Sequence, residues 1–370
     1  MGTLNDYIKW RGDLTFQQVP LNEVDSLIFS LITYLDLNKI VSDSHEASLI
    51  PLRAVANAFF AQNPDIKKIS MGAIIPKEIV QIFRALKDSR RFRNVTLRAH
   101  VNKLDPSKEM QFSATTFFLD ADTMVVAYRG TDDTLIGWKE DFNMSFMPVV
   151  PAQEEAVRYL EQAAERFDGK SIHVAGHSKG GNLAVYAATK CPKAIKKKLE
   201  AVWSHDGPGF GEGFLNLPEY IKTKHLIKSF VPQSSVIGML LEHDETYTVV
   251  KSRQVGLWQH DGVSWDVMGG AFVHLKKVTD ECKRRDKTVN EWIRNMTPEQ
   301  REQFVESLYQ LLLANNASTL SDLLSIKNYK WLKKTTELDP VVSKTVQKTL
   351  AVFLDLNAKN IISDLFPKKK

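Results

Sequence analysis

Apolar residues recur at helical spacing along the first part of the chain. The repeat of three and four positions is clear over residues 21–37, 47–60 and 74–86. Such a period is typical of amphipathic helices that bury one stripe of side chains. We therefore predict a helical segment over residues 1–92, and we expect it to cover one edge of a following sheet.

The pattern then changes to one that favours strands. β-Branched and aromatic residues dominate residues 96–101, 111–118 and 124–127, and a polar turn lies at residues 120–122. Apolar runs of this composition that are bounded by turn residues are typical of β-strands. We predict a run of strands that includes one hairpin.

Helices and strands alternate after Pro151. The predicted elements are a helix to residue 167, a strand over 171–175, a helix over 179–189, and strands over 201–205, 228–231 and 246–250. Strands that alternate with helices indicate βαβ units and a parallel sheet. The sequence thus predicts an α/β core over residues 93–276.

The chain becomes helical again over residues 277–370. Thr297 is a capping residue, Pro298 suits the first helical position, and Gln300 completes a capping box. The apolar side chains that this helix should bury are Phe304, Val305, Leu308, Leu311 and Leu312. A second amphipathic stretch covers residues 342–366. We predict a C-terminal helical extension.

Composition narrows the class of protein. Of 370 residues, 43% are hydrophobic, which is enough for a full core, and the net charge is only +5. Since part of that charge lies in the last three lysines, we expect no nucleic-acid partner, whereas weak contact with an anionic membrane surface is compatible with it. The oligomeric state is left open.

Cysteine content and the N-terminus bear on location and on cofactors. Cys191 and Cys282 are the only cysteines, which is too few for a disulfide framework, and their spacing does not suit a metal. The first 12 residues carry Asp6, Lys9 and Arg11 and lack the apolar core of a signal peptide. We expect a soluble cytoplasmic protein without a metal or other cofactor.

One short motif suggests a nucleophile. Gly176-His177-Ser178-Lys179-Gly180 lies between a predicted buried strand and a helix rich in small residues. A sharp strand-to-helix turn can expose a serine hydroxyl, and glycines two positions before and after it allow the close backbone approach that the turn needs. Ser178 is therefore the candidate nucleophile.

A serine hydroxyl needs a base that takes its proton. The histidines after Ser178 are His205, His225, His243, His260 and His274. His260 lies in a turn-rich loop after the last predicted strand, near the carboxyl end of the sheet, so it is the first choice. His243 is the second choice, and His177 is interpreted as structural.

The acid that orients the base should follow a strand at its carboxyl end. Asp206 follows the strand over residues 201–205, whereas Ser234 and Ser235 follow the next one. Asp206 is the candidate acid, although an aspartate that merely opens a Gly-Pro turn would look the same. Glu242 and Asp244 are the fallback acids.

Two backbone donors are expected for an oxyanion. One is the N–H of Lys179, directly after the nucleophile, and the other belongs to Thr131 in the loop after an earlier strand. Gly130 allows tight approach in that loop. Arg129 is either an anion clamp or a residue that orders the loop with a carboxylate, and Asp141 is a candidate for supporting the same loop.

These motifs resemble those of class 3, or fungal-type, lipases. The similarity covers Tyr128-Arg-Gly-Thr131, then Trp138 and Asp141, and the elbow Gly176-His-Ser-Lys-Gly-Gly181. Over its length the chain also resembles a bacterial lipase-like family known as a domain of unknown function. The resemblance implies the α/β-hydrolase fold and activity on lipid or other acyl esters.

The chain departs from the lipase pattern at two places. Lys179 replaces an apolar residue of the elbow, which suggests a cation that would favour an anionic substrate. Ser234 and Ser235 stand where class 3 lipases carry the triad aspartate. Asp206 occupies the position that the acid has in pancreatic-type lipases, which the chain resembles in this respect.

The sequence supports two functional hypotheses. The first is a serine esterase that cleaves a small-molecule or lipid ester through Ser178, His260 and Asp206. The second is a non-catalytic α/β-hydrolase-fold protein that binds a ligand or partner, since a fold does not guarantee an activity.

Overall fold

The computed structural model describes residues 1–72, 75–284, 295–313 and 318–319. The strands within these residues are β1 (Ile50–Pro51), β2 (Thr96–Asp105), β3 (Met110–Phe118), β4 (Thr123–Tyr128), β5 (Ser171–His177), β6 (Leu199–His205), β7 (Ile227–Pro232), β8 (Tyr247–Val250), β9 (Val267–Met268), β10 (Ala271–Phe272) and β11 (His274–Leu275).

The α-helices occur before, between and after these strands. They are α1 (Leu4–Arg11), α2 (Glu23–Ile32), α3 (Leu52–Gln62), α4 (Glu78–Leu86), α5 (Leu135–Asn143), α6 (Pro151–Glu165), α7 (Lys179–Lys190), α8 (Lys193–Lys196), α9 (Glu212–Leu215), α10 (Pro218–Thr223), a last α11 (Pro298–Leu313), and short 3₁₀ turns, of which Gly256–His260 bears on the site.

The central sheet has nine strands in the order β1-β2-β3-β4-β5-β6-β7-β8-β11. Strands β4 to β8 run parallel, while β1 to β3 and β11 pair antiparallel at the two sides. The long helices α6 and α7 connect parallel strands, as parallel pairing requires. The predicted α/β-hydrolase fold, with a mainly parallel central sheet, is confirmed.

Helices cover both faces of the sheet. Side chains of α2, α3 and α4 share one hydrophobic cluster with one face, where Phe29 of α2 packs on Phe117 of β3 at a ring distance of 4.9 Å. Helices α6 and α7 pack on the other face. The expectation that the N-terminal helices cover an edge was wrong, because their apolar stripes are wide enough to bury a sheet face.

The N-terminal elements match the apolar periodicity only in part. Helix α2 is shorter than the predicted 21–37. Helix α4 begins at Glu78, and residue 74, where the predicted helix starts, lies outside the described residues. Helix α1 was missed, although Thr3 and Asp6 form a capping box that the sequence displays. The helix is only eight residues long, so its apolar repeat is weak.

The C-terminal helix begins as its cap predicts. Thr297 and Gln300 exchange backbone-to-side-chain hydrogen bonds, and α11 starts at Pro298. Its buried Phe304, Val305 and Leu308 pack against apolar side chains of and after α5. The side chains of Leu311 and Leu312 and the predicted amphipathic stretch 342–366 lie outside the described residues.

In the part of the chain that the structure describes, none of the helices combines the length and the apolar character that crossing a bilayer would need.

A buried histidine of β6 forms a hydrogen bond to α2. His205, the last residue of β6, is fully buried, and its Nε2 lies 2.8 Å from the Ser26 hydroxyl. Burial lowers the pKa of His205 to about 3, so the folded protein holds this ring neutral. The unfolded chain, with an ordinary histidine pKa of about 6.5, binds a proton that the folded chain excludes.

This pKa difference predicts acid sensitivity. The contribution of the neutral His205 to the free energy of unfolding is complete above about pH 6.5 and is lost as the pH falls toward 3. Between pH 7 and pH 5 this contribution should decrease by about 2 kcal/mol. Urea unfolding of His205→Gln should show a correspondingly smaller loss over that interval than wild type. The exposed His225→Gln is the control. Equal losses in wild type and His205→Gln would contradict the account.

Candidate active site

Ser178 lies at a strained turn between β5 and α7. Its backbone has φ 58° and ψ −134°, a conformation that side-chain-bearing residues rarely adopt. A Cβ on Gly176 would lie 2.0 Å from the Gly180 carbonyl oxygen, and a Cβ on Gly180 would lie 2.2 Å from that of Tyr128. Both glycines are therefore required by close backbone approach, as the motif predicts.

The turn leaves the Ser178 side chain accessible. The residue is half-buried, and its backbone N–H donates to the His205 carbonyl oxygen at 2.9 Å. Its hydroxyl makes no hydrogen bond to any of the residues that the structure describes. Catalytic hydrogen bonds are often long before substrate binds, so this hydroxyl is compatible with a nucleophile.

The structure brings His260 and Asp206 together. Nδ1 of His260 lies 2.6 Å from Oδ2 of Asp206, whose side chain is fully buried while that of His260 is 22% exposed. Asp206 follows β6 directly, and His260 ends a 3₁₀ turn after β8. Because the carboxylate only accepts, it fixes the imidazole with its proton on Nδ1 and leaves Nε2 as the basic nitrogen.

Ser234 and Ser235, which stand where class 3 lipases carry the triad aspartate, form hydrogen bonds to Asp206 and to the neighbour of His260. Ser235 Oγ donates to Oδ1 of Asp206 at 2.5 Å, and the backbone N–H of Ser234 donates to Oε1 of Gln259, the neighbour of His260, at 2.9 Å. Asp206 itself has φ 53° and donates its N–H to the Phe230 carbonyl oxygen. Its carboxylate is therefore held on both oxygens.

The alternative base His243 and the alternative acids Glu242 and Asp244 contact other residues. His243 pairs with Glu245 at 2.9 Å, and Asp244 pairs with Lys224 at 2.6 Å on the surface. Glu242 makes a backbone bridge with Phe210. The carboxylate that meets His260 is that of Asp206, so the sequence-based first choice of acid and base is the pair that the fold assembles.

Two backbone N–H groups are available for an oxyanion. Those of Thr131 and Lys179 have no hydrogen-bond acceptor among the described residues. The Thr131 hydroxyl instead donates to Oδ2 of Asp141 at 2.5 Å, which orders the loop. Burial raises the pKa of Asp141 to about 6, although Lys179 and the Thr131 hydrogen bond oppose the rise.

The Lys179 side chain is buried inside the protein. The side chain is 1% exposed, and its ammonium group donates to Glu140 at 3.0 Å and to two oxygens of Gln111. It also lies 3.8 Å from Asp141. The expectation of a cation that selects an anionic substrate was wrong, because a buried ammonium is stabilised by the adjacent carboxylates.

The candidate oxyanion loop, which is residues 129–134 between β4 and α5, is also held by other polar contacts. Arg129 is buried and donates to Asp132 at 2.9 Å and to Asn102 at 3.0 Å, so it orders the loop and has a carboxylate partner other than Asp141. A Cβ on Gly130 would lie 2.8 Å from the Ser178 Cβ. The loop and the nucleophile are thus in direct contact.

Sequence reasoning missed one residue of the site. Tyr34, just after α2, places its hydroxyl 3.1 Å from Nδ1 of His177, whose Nε2 lies 2.7 Å from the His260 carbonyl oxygen. No local pattern marks a tyrosine at the end of a helix as part of a site that is more than 140 residues away.

Apolar residues in the segments that follow β7 and β8 divide into two groups by burial. Trp265 is fully buried and donates to the Gln259 carbonyl oxygen, so it belongs to the core. Met239, Leu240 and Leu241 are half-buried, and Trp258 is 59% exposed two residues before His260.

Among the described residues there is no cluster of three or more ligands that could hold a metal.

The buried Lys179 predicts a large stability effect. Lys179→Met leaves the carboxylate of Glu140, itself fully buried, without its cation, and breaking one side of such a pair costs about 3–5 kcal/mol. Urea unfolding at pH 7 should show this loss. Lys190→Met, at the exposed end of the same helix, should change stability by less than about 0.5 kcal/mol. Similar small effects for both variants would contradict the buried pair.

The solved structures that are similar to this chain include two lipases. Rhizomucor miehei lipase in complex with its propeptide is 16% identical over 43% of this chain and 57% of the lipase, with a TM-score of 0.33. M37 lipase is 14% identical over 59% of this chain and 70% of that one, with a TM-score of 0.37. The chain thus spans little more than half of the first structure's length. Comparison with curated proteins gives no match.

The family assignment rests on the sequence itself. The model of the Mbeg1-like family matches residues 86–310, from the end of α4 almost to the end of α11. This match covers well over half of the chain. The protein therefore belongs to the Mbeg1-like family, which is lipase-like, as the resemblance in its sequence predicted.

Proposed function

We propose that the protein is a serine esterase that cleaves a carboxylic ester through Ser178, His260 and Asp206. The single observation that carries the proposal is the 2.6 Å contact between His260 and the buried Asp206, on the loops beside the strained Ser178 turn. A carboxylate that fixes the tautomer of an accessible imidazole is the arrangement that a general base requires.

The reaction follows from these groups. His260 Nε2 takes the hydroxyl proton as Ser178 Oγ attacks the acyl carbonyl, and the oxygen that becomes negative accepts from the N–H groups of Thr131 and Lys179. The histidine then gives the proton to the departing alcohol. Water repeats the sequence on the acyl-enzyme, which releases the acid and restores Ser178.

The substrate we propose is a small-molecule or lipid ester. Val255, directly before the turn that ends at His260, is 74% exposed, and Trp258 within the turn is 59% exposed. These exposed apolar side chains support an apolar acyl group or brief contact with a membrane surface. Cys191 and Cys282 are both buried and form no disulfide, which supports a reducing, cytoplasmic location. The proposed mechanism uses neither metal nor cofactor.

A fluorophosphonate probe tests the nucleophile. Wild type should become labelled at Ser178, because the probe mimics the acyl ester, and Ser178→Ala should neither be labelled nor turn over p-nitrophenyl acetate. Ser204→Ala, which changes a buried serine of β6, is the control and should retain labelling. A folded wild-type protein that the probe leaves unlabelled would sink the proposal.

The acid is tested by removing its charge. Asp206→Asn should lower kcat for p-nitrophenyl acetate by about a thousandfold or more, because His260 loses the group that fixes its tautomer. Asp244→Asn should leave kcat near wild type, since Asp244 pairs with Lys224 at the surface. Retained activity in Asp206→Asn, with loss in Asp244→Asn or Glu242→Gln, would reassign the acid.

A non-catalytic binding protein is the second candidate. The observation that favours it is the Ser178 hydroxyl, which makes no hydrogen bond within the described residues. This candidate predicts no covalent probe adduct at any concentration. The probe experiment therefore decides between the two classes.

A further inference from the structure

Tyr34, His177 and His260 form a hydrogen-bonded chain beneath the site. The Tyr34 hydroxyl lies 3.1 Å from Nδ1 of His177, and Nε2 of His177 lies 2.7 Å from the backbone carbonyl oxygen of His260. The two histidine rings are 4.6 Å apart and inclined by 33°. The residue before the nucleophile thus contacts both the backbone and the ring of the proposed base.

The direction of each hydrogen bond is fixed by chemistry. A carbonyl oxygen only accepts, so Nε2 of His177 carries the proton and donates to His260. Burial and the neighbouring His260 hold the pKa of His177 well below its ordinary value, and the ring therefore has that single proton. Nδ1 must accept, and the donor is the Tyr34 hydroxyl, whose own pKa burial raises.

Tyr34 also contacts the oxyanion loop. A Cβ on Gly130 would lie 2.2 Å from the Tyr34 oxygen and 2.8 Å from the Ser178 Cβ, so these two atoms are no more than about 5 Å apart. The bare α-carbon of Gly130 is what admits the tyrosine hydroxyl. One phenol therefore lies at the junction of the loop, the nucleophile and the base.

From this geometry we propose that Tyr34 is a positioning residue, which acts through the tautomer of His177 to hold the backbone of His260 in place for proton transfer from Ser178. The inference rests on the proposed esterase function and adds to it a residue of the N-terminal helical segment. Asp206 fixes the ring of His260, and the Tyr34–His177 pair fixes the main chain that carries the ring.

The pair has a second consequence for the reaction. His260 becomes positively charged when it takes the Ser178 proton, and a second charged ring 4.6 Å away would oppose that step. Because its Nδ1 is already occupied by the Tyr34 proton, His177 stays neutral next to the charged base. Without the tyrosine donor, the His177 proton can move to Nδ1, and an unprotonated Nε2 would then face the His260 carbonyl oxygen and repel it.

The test compares Tyr34→Phe with a matched control. Tyr34→Phe keeps the ring and removes the hydroxyl that donates to His177, so kcat for p-nitrophenyl acetate and the rate of fluorophosphonate labelling should each fall about tenfold or more, while KM changes less than twofold. Tyr186→Phe, on α7 with its ring stacked on Phe214, should match wild type in all three values. Unchanged kcat and labelling in Tyr34→Phe would overturn the proposal.

Substitution of His177 provides a rescue readout. The side-chain amide of His177→Gln can still donate to the His260 carbonyl oxygen, whereas His177→Leu cannot, so the Gln variant should retain at least several times the kcat of the Leu variant. His173→Gln, earlier on the same strand, is the control for the effect of replacing a histidine by glutamine in this strand. Equal loss in both His177 variants would contradict the positioning role.

A spectroscopic measurement separates this inference from the proposed function. Nitrogen NMR of histidine-labelled protein should show His177 as the Nε2–H tautomer in wild type and a mixture of tautomers in Tyr34→Phe. Failure of wild type to react with the probe would remove the esterase proposal but leave this result intact. An Nδ1–H tautomer in wild type, or no change in Tyr34→Phe, would overturn the inference alone.

Discussion

The site depends on one strained backbone conformation, that of Ser178. A positive φ at a residue with a Cβ costs about 1–2 kcal/mol, and the surrounding structure has to hold it. The Ser178 N–H is fixed to the carboxyl end of β6, and the bare α-carbons of Gly176 and Gly180 let β5 and α7 approach each other. This turn sets the positions of the hydroxyl, the Lys179 N–H and the His177 ring together.

Two groups of buried charged side chains support the residues around that turn. Lys179 with Glu140 and Asp141 supports the oxyanion loop, and Asp206 supports His260. In the first group the buried ammonium is paired with carboxylates, and in the second the buried Asp206 carboxylate accepts hydrogen bonds from His260 and Ser235. The Lys179 ammonium lies next to the carboxylates of Glu140 and Asp141, which balance its charge. In the proposed reaction, the negative charge that develops on the oxygen is stabilised by backbone N–H groups, and the positive charge that develops on His260 is stabilised by Asp206.

Most of the elements and the pairing of the candidate residues Asp206 and His260 could be predicted because their signals are local. The elbow motif, the aspartate directly after β6 and the cap at Thr297 each lie within a few residues in the chain. Long-range partners could not be predicted. Nothing next to Lys179 indicates that its ammonium meets Glu140, and nothing around Tyr34 indicates that α2 packs on a sheet face and delivers a hydroxyl to His177. Such contacts arise from packing between distant segments, which periodicity does not encode.

The most direct test of the central claim is a crystal structure of the protein after reaction with a fluorophosphonate. The account predicts a bond between phosphorus and Ser178 Oγ, with one phosphoryl oxygen at about 2.7–3.1 Å from the N–H nitrogens of both Thr131 and Lys179, and His260 still paired with Asp206. An adduct on another residue, or a phosphoryl oxygen directed away from those two N–H groups, would contradict it.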